Sequence, residues 1–162
     1  MSDARAARID LVRARTIVDR AIAHARSNDF PPTTVAVLDT ARRLVAFAGE
    51  DGSSLLGERI ARGKAHGALN MGVGSRGVAA RAASDPAFVN ALVALADGNL
   101  VPVPRGVLIR DDNDDLIGAV GVSGHLPDDD EACAIHAITA ADLRADPGAR
   151  SAGVVGSGIH RT

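Results

Sequence analysis

Apolar residues recur at spacings of three and four in the first part of the chain, at Leu11, Ala14, Val18, Ala21 and Ala25. Such spacing places them on one stripe of a helix, so the pattern predicts an amphipathic helix over about residues 4–26. His24 falls off that stripe. We therefore expect it to be a solvated residue in the last helical turn, where a partial positive charge suits the helix dipole.

Two pairs of short apolar runs follow, each pair joined by a short connection. Residues 33–38 and 44–48 form the first pair, and residues 107–110 and 116–122 form the second. The second connection, residues 111–115, is wholly polar and has the chemistry of a turn. Connections this short favour antiparallel hairpins over parallel crossover units.

Helical patterns fill much of the remaining chain, over residues 55–71, 75–82, 85–95 and 129–144. In the third of these, Asp85 is the expected N-cap because Pro86 suits the first helical position. Residues 101–106 contain two prolines and are expected to be a connector or an edge strand. The order predicts an α+β fold, with an antiparallel sheet flanked by helices. We expect one domain over residues 1–146 and a Gly/Ser-rich tail over residues 147–162.

Composition narrows the classes of protein that fit. A length of 162 residues suits one domain, and the net charge of −2 leaves no basic field to attract nucleic acid. No apolar run is long enough to span a membrane or to act as a signal peptide. A lone Cys133 excludes an internal disulfide and is compatible with a reducing compartment. We therefore expect a cytoplasmic protein without nucleic-acid or membrane partners.

Two motifs lack the context that their chemistry requires. Residues 72–77 spell G-x-G-x-x-G but follow a helix instead of a strand, so we interpret them as a helix-breaking connector. Asp111, Asn113 and Asp115 have the first spacings of a calcium loop, but Leu116 occupies the position that requires glycine, which favours a hairpin turn. The histidines form no compact metal-ligand pattern, so we expect no structural zinc site.

Lys64 interrupts a helix face that is otherwise apolar or small, formed by Gly57, Ile60, Ala68 and Met71. Burying an ammonium group is costly unless it is paired, and a lysine placed in this way can acquire a lowered pKa that suits acid/base or Schiff-base chemistry. The alternative is that its stem packs on the core while its charge reaches solvent. His66 shares its face with Arg59, Arg62 and Asn70, and we expect it to be exposed unless that face lines a subunit interface.

Glu131 lies close to Ile135 and Ile138 on a helical projection, so it is a candidate buried carboxylate. Alternatively, Asp128 and Glu131 form a capping box. The loop before this helix contains the small residues Ser123 and Gly124, followed by His125, and its backbone amides suit an anion. We hypothesise that Lys64 and Glu131 converge on one pocket beside this loop.

Several short motifs, taken together, resemble one protein family. They are Asp51-Gly52, Ala61-Arg-Gly-Lys-Ala65, Leu100-Val-Pro-Val-Pro104, Leu116-Ile-Gly-Ala-Val-Gly-Val-Ser-Gly124 and Asp130-Glu131. Over residues 33–140 the chain resembles the GlcG/HbpS family, which includes the C-terminal domain of PduO-type proteins. The resemblance implies a profilin-like sheet with flanking helices and assembly into dimers or higher homo-oligomers. It also implies haem binding in some members, while others are encoded among catabolic genes.

The chain departs from the family pattern around the expected pocket. Arg105 replaces a usual glycine, Val103 a frequent Phe, and His125 a frequent Gly, while Gly49 and Glu50 stand where a basic residue and Met are common. These changes make the pocket more polar than a haem slot, which is normally apolar with an axial ligand. His66 and His125 are the candidate axial ligands.

Three functions fit these residues. The first is a small-ligand-binding protein for haem or a related tetrapyrrole. The second is a cofactor-free isomerase, hydratase/lyase or hydrolase acting on a small carboxylate or aromatic-ring catabolite, in which Arg105 binds the anion and Lys64, Glu131 or His125 moves protons. The third is an oligomeric accessory protein with a vestigial pocket.

Overall fold

The structure is a computed structural model that describes residues 7–72, 74–95 and 106–148. Its helices are α1 (Leu11–Ser27), α2 (Gly57–Met71), α3 (Ser75–Ser84), α4 (Pro86–Leu95) and α5 (Pro127–Ala140). Its strands are β1 (Thr34–Asp39), β2 (Leu44–Gly49), β3 (Gly106–Arg110), β4 (Leu116–Ser123) and β5 (Arg144–Asp146). Of the predicted connector or edge 101–106, only Gly106 is described, as the first residue of β3, and the predicted tail lies outside the described residues from residue 149 on.

The strands form one antiparallel sheet in the order β2-β1-β4-β3-β5. Both predicted hairpins, β1–β2 and β3–β4, are present, and the predicted α+β class is confirmed. In the turn of the second hairpin, a carboxylate oxygen of Asp111 accepts hydrogen bonds from the backbone amides of Asn113 and Asp115. The residues that resembled a calcium loop therefore form a hairpin turn that is closed by hydrogen bonds to the Asp111 side chain.

The last predicted helix was placed too far along the chain. It begins at Pro127, two residues before the predicted start, and ends at Ala140. Asp142 then adopts a left-handed backbone conformation with φ 57°, and Arg144–Asp146 pairs with β3 as the edge strand β5. Alanine-rich residues near 140 favour helix locally, but pairing with β3 overrides that preference.

The first predicted helix was also too long. Residues 7–10 are not helical, and the Ile9 amide donates a hydrogen bond to the Ile117 carbonyl. Asp10 caps α1 by accepting a hydrogen bond of 2.8 Å from the Arg13 amide. Asp85 caps α4 in the same way through the Phe88 amide, as predicted. In the described part of the chain, no helix is both long and apolar enough to cross a lipid bilayer.

Helices cover both faces of the sheet. Helices α1 and α5 pack on one face, where the core includes Ile17, Val35, Val37, Val120 and Ile138. Helix α2 packs on the other face against Leu38, Leu108 and Ala119. A side chain at Gly121 would collide with the Ala61 carbonyl, so this glycine lets α2 approach the backbone of β4. Gly72, with φ 63°, ends α2, and Gly74 is the N-cap of α3, so the G-x-G-x-x-G sequence breaks the helix and does not follow a strand, as interpreted.

Candidate functional site

The Lys64 side chain links the two layers of the fold. From α2, its ammonium group donates a hydrogen bond of 2.7 Å to the Val122 carbonyl near the end of β4. It also donates to Oδ2 of Asp130 in α5 at 2.9 Å, and both side chains are only 4% exposed. Of the two alternatives for Lys64, the structure shows the buried, paired ammonium and not the charge that reaches solvent. Lys64 is also the single lysine of the chain, so this buried position holds the only ammonium side chain.

Asp130 joins this lysine to the loop between β4 and α5. Its Oδ1 accepts a hydrogen bond of 2.9 Å from the His125 backbone amide. Burial raises the pKa of the Asp130 carboxyl, while Lys64 and the amides of His125 and Gly124 oppose that rise. All of these donors stabilise the ionised carboxylate, and so does the positive end of α5, whose first turn contains Asp130. The buried pair therefore fixes the backbone that carries His125.

Glu131 was the predicted buried carboxylate, and its neighbour Asp130 was not predicted. Glu131 is buried, with 2% of its surface exposed, as expected. However, the carboxylate that lies 2.9 Å from the Lys64 ammonium is that of Asp130. The acidic run that begins at Asp128 could have indicated Asp130. Consecutive carboxylates over a whole helical turn point in all directions, so at least one of them must face the core.

The capping box proposed for Asp128 and Glu131 is absent. The N-cap position is Leu126, which makes no side-chain capping bond, and Pro127 occupies the first helical position. Asp128 therefore lies within the first turn of α5 instead of preceding the helix. Proline at this position fixes φ in the helical range and has no amide proton to leave unpaired, so the helix can begin earlier than the acidic run suggested.

His125 projects from this loop with 34% of its side chain exposed. Its Nε2 lies 3.3 Å from Oδ2 of Asp129, and its ring centroid lies 4.9 Å from that of Phe30. Ser123, half-buried, ends β4 opposite Thr34. A side chain at Gly124 would lie 2.9 Å from the Pro32 carbonyl oxygen, so only glycine allows the loop to pack this closely. The predicted loop residues thus lie together.

The segment that carries Phe30 is held by a separate ion pair. Arg26 donates hydrogen bonds to the carbonyls of Phe30 and Pro31, and its Nε lies 2.9 Å from Oε1 of Glu50. The other oxygen of Glu50 accepts a hydrogen bond of 2.7 Å from the Thr33 amide. Glu50, which departs from the family pattern, therefore fixes the segment from Phe30 to Thr33, which lies beside His125.

His66 occupies a different part of the molecule. It is half-buried on α2, which makes it less exposed than expected. Desolvation, Arg62 and Arg42 lower the pKa of its imidazole, in that order. Arg42 lies in the β1–β2 turn, beyond the end of β1. The loop of His125 lies at the other end of that strand, because it follows Ser123, which pairs with Thr34 at the start of β1. The two candidate axial ligands are therefore near opposite ends of the sheet. Arg105 lies outside the described residues.

His24 lies in the last turn of α1, as expected, but is only partly exposed to solvent. Its ring is half-buried and stacks on that of His136 in α5, with the ring centroids 4.4 Å apart. Helix periodicity placed His24 off the apolar stripe but could not show that the neighbouring helix covers it there.

A family model described as haem degrading protein HbpS-like matches residues 9–139. The chain therefore belongs to the HbpS-like family, which confirms the resemblance found in the sequence. No relative among functionally curated proteins matches the sequence.

Solved structures of low sequence identity have the same fold. A structure described as a PduOC:heme complex is 20% identical with a TM-score of 0.74, over 84% of this chain and 96% of that one. The Klebsiella pneumoniae protein ORFY is 20% identical with a TM-score of 0.75, over 88% and 97%. HbpS is 19% identical with a TM-score of 0.71, over 85% and 93%. These similarities establish the fold.

Proposed function

We propose that this protein binds haem or a related tetrapyrrole, with His125 as the axial ligand. The observation that carries the proposal is the environment of the His125 side chain. This side chain is half-exposed on a fixed loop, pairs with a carboxylate and lies beside an aromatic ring. Membership of the HbpS-like family and the likeness to a protein solved with haem support the same ligand class. Bound haem would supply a redox-active iron centre with a strong visible absorption.

The chemistry of these side chains fits a haem ligand. A histidine that ligates a metal through one ring nitrogen usually donates its other ring N–H to a carboxylate or carbonyl, which orients the ring. Asp129 is placed to accept that proton from Nε2, which leaves Nδ1 as the nitrogen that would hold the iron. Phe30 supplies apolar surface beside the imidazole, as a porphyrin face requires, and Leu126, the next residue along the chain, is exposed.

The buried pair of Lys64 and Asp130 acts as a support for this site. Asp130 holds the His125 amide, and Lys64 holds both Asp130 and the last residues of β4. A ligand side chain mounted on such a fixed backbone loses little conformational freedom on binding. In this proposal Lys64, Ser123 and Gly124 therefore act by positioning the loop.

His66 is the second candidate axial ligand. Its lowered pKa keeps the imidazole neutral near pH 7, as metal ligation requires, and Arg42 and Arg62 could pair with the propionates of a haem. It has no aromatic neighbour among the described residues, whereas His125 has Phe30. This difference favours His125.

Titration with haem separates the two histidines. The wild-type protein should give a saturable Soret band with one haem per chain, and His125→Ala should weaken binding by more than about tenfold. His66→Ala, a matched removal of a half-buried imidazole, should bind as the wild type does. Loss of binding in His66→Ala with retention in His125→Ala would move the site to α2. Non-saturable uptake by the wild type would remove the haem proposal altogether.

A second candidate function, acid/base catalysis, is favoured by the same His125–Asp129 pair. A half-exposed imidazole oriented by a carboxylate is the usual arrangement of a general base. Lys64 and Glu131 remain predicted proton-transfer groups, and Arg105 remains a predicted anion-binding residue. Turnover of any small carboxylate or aromatic-ring catabolite should be lost in His125→Gln and Asp129→Asn. Turnover that survives both variants would exclude this pair from catalysis.

A cytoplasmic location and a homo-oligomeric state complete the proposal. The single cysteine is compatible with a reducing compartment. Light scattering after size exclusion should give a mass at least twice that of the 16.5 kDa chain. A monomer at micromolar concentration would contradict the oligomer.

A further inference from the structure

Two histidines face each other between the helices that cover one face of the sheet. His24 lies in the last turns of α1 and His136 lies in α5, with their ring centroids 4.4 Å apart and their planes inclined by 28°. The two helices are locked together by buried alanines on either side of these rings, namely Ala21 and Ala25 in α1 and Ala134 and Ala137 in α5. The spacing of the rings is therefore set by the core.

Both imidazoles are available as ligands. Within the described part of the chain, neither ring makes a hydrogen bond or an ion pair, although the backbone carbonyl of His24 accepts bonds from the side chains of Ser27 and Asn28. Burial lowers the pKa of His24, and repulsion from His136 lowers it further. The neutral ring that results at neutral pH keeps a nitrogen lone pair, which is the form that binds metals.

The separation of the rings suits a shared metal ion. Zinc binds imidazole nitrogen at about 2.0–2.1 Å, so two nitrogens in a tetrahedral site lie roughly 3.4 Å apart. The ring centroids are 4.4 Å apart, so binding requires each ring to rotate about its Cβ–Cγ bond until one nitrogen of each points at the ion.

We propose that His24 and His136 form a two-histidine site for a divalent transition-metal ion that bridges α1 and α5. Imidazole ligands favour zinc, nickel and copper over magnesium or calcium. The described residues contain no group of three or more His, Cys, Asp or Glu side chains that could hold a metal. Water therefore completes the coordination, and the ion exchanges readily. Neither histidine is a candidate haem ligand, so this proposal does not rest on the haem proposal.

Calorimetric titration of the haem-free full chain with zinc chloride tests the site. The wild type should bind one zinc ion per chain, and His24→Gln and His136→Gln should each weaken that binding at least tenfold. The double variant should bind zinc about as weakly as either single variant, since a single remaining imidazole cannot chelate the ion. His66→Gln removes a half-buried histidine from the opposite face of the sheet and should leave the affinity unchanged.

A second measurement separates loss of ligand from loss of fold. In nitrogen-15 NMR spectra of the wild type, zinc should shift the ring nitrogens of two histidines, and magnesium should shift none. The zinc-free Gln variants should keep the wild-type backbone spectrum. Wild-type affinity in either His24→Gln or His136→Gln would overturn the proposal, as would zinc-induced shifts confined to other histidines.

Discussion

The ammonium nitrogen of Lys64 lies 2.9 Å from a carboxylate oxygen of Asp130, although their helices cover opposite faces of the sheet. Both side chains are buried, so water does little to screen the pair. Through Asp130 the pair also holds the backbone amide of His125. One ion pair thus joins both helical layers to the loop that carries the proposed haem ligand.

Removing the lysine should leave an uncompensated buried carboxylate. Lys64→Met should lower the free energy of unfolding by about 3–5 kcal/mol, measured by urea denaturation. Adding Asp130→Asn should restore part of the loss, because the amide oxygen can still accept from His125. Arg62→Met on the same helix breaks only a partly exposed pair with Glu58 and should cost below about 1 kcal/mol. A Lys64→Met variant as stable as Arg62→Met would contradict a buried pair.

Because Lys64 is the single lysine, its burial can be read by amine labelling. The native protein should react with an acylating reagent at the α-amino group only, since the ammonium of Lys64 is 4% exposed and paired. Protein unfolded in urea should gain a second label, detected by mass spectrometry. Equal labelling of both amines under native conditions would show that Lys64 reaches solvent.

Cys133 should be unreactive in the folded protein. It is buried, and desolvation together with the carboxylates of Asp130 and Asp129 raises the pKa of its thiol to about 11. The thiolate is the reactive form, so iodoacetamide near neutral pH should modify Cys133 only after unfolding. Rapid alkylation of the native protein would mean that the first turns of α5 open far more readily than the packing implies.

Two histidines should make the protein less stable in mild acid. Burial lowers the pKa of both His24 and His66 below the usual value near 6.5, so the unfolded chain binds more protons than the native state below that pH. Their contribution to stability is present above about pH 6.5 and is lost as the pH falls through the native pKa values. The double variant His24→Gln/His66→Gln should show a flatter fall in stability from about pH 7 to about pH 5 than the wild type. An unchanged slope would show that other groups cause the fall.

Local patterns predicted both hairpins and all five helices, two of them with wrong bounds, and gave burial as one of two alternatives for Lys64, because hydrophobic periodicity shows which face of an element is covered. They did not predict β5, since three residues are too few to show an alternating pattern. They also missed Asp130 as the partner of Lys64 and the stacking of His24 on His136. Those contacts depend on how helices distant in sequence pack on the sheet, which the periodicity of one helix does not encode.

The most direct test of His125 as the axial ligand is rescue by free imidazole. His125→Gly should lose the Soret band of histidine-ligated haem, and millimolar imidazole should restore it by occupying the space left beside Phe30 and Asp129. His66→Gly should keep the band without added imidazole. A wild-type spectrum in His125→Gly, or rescue by imidazole in His66→Gly alone, would contradict the assignment.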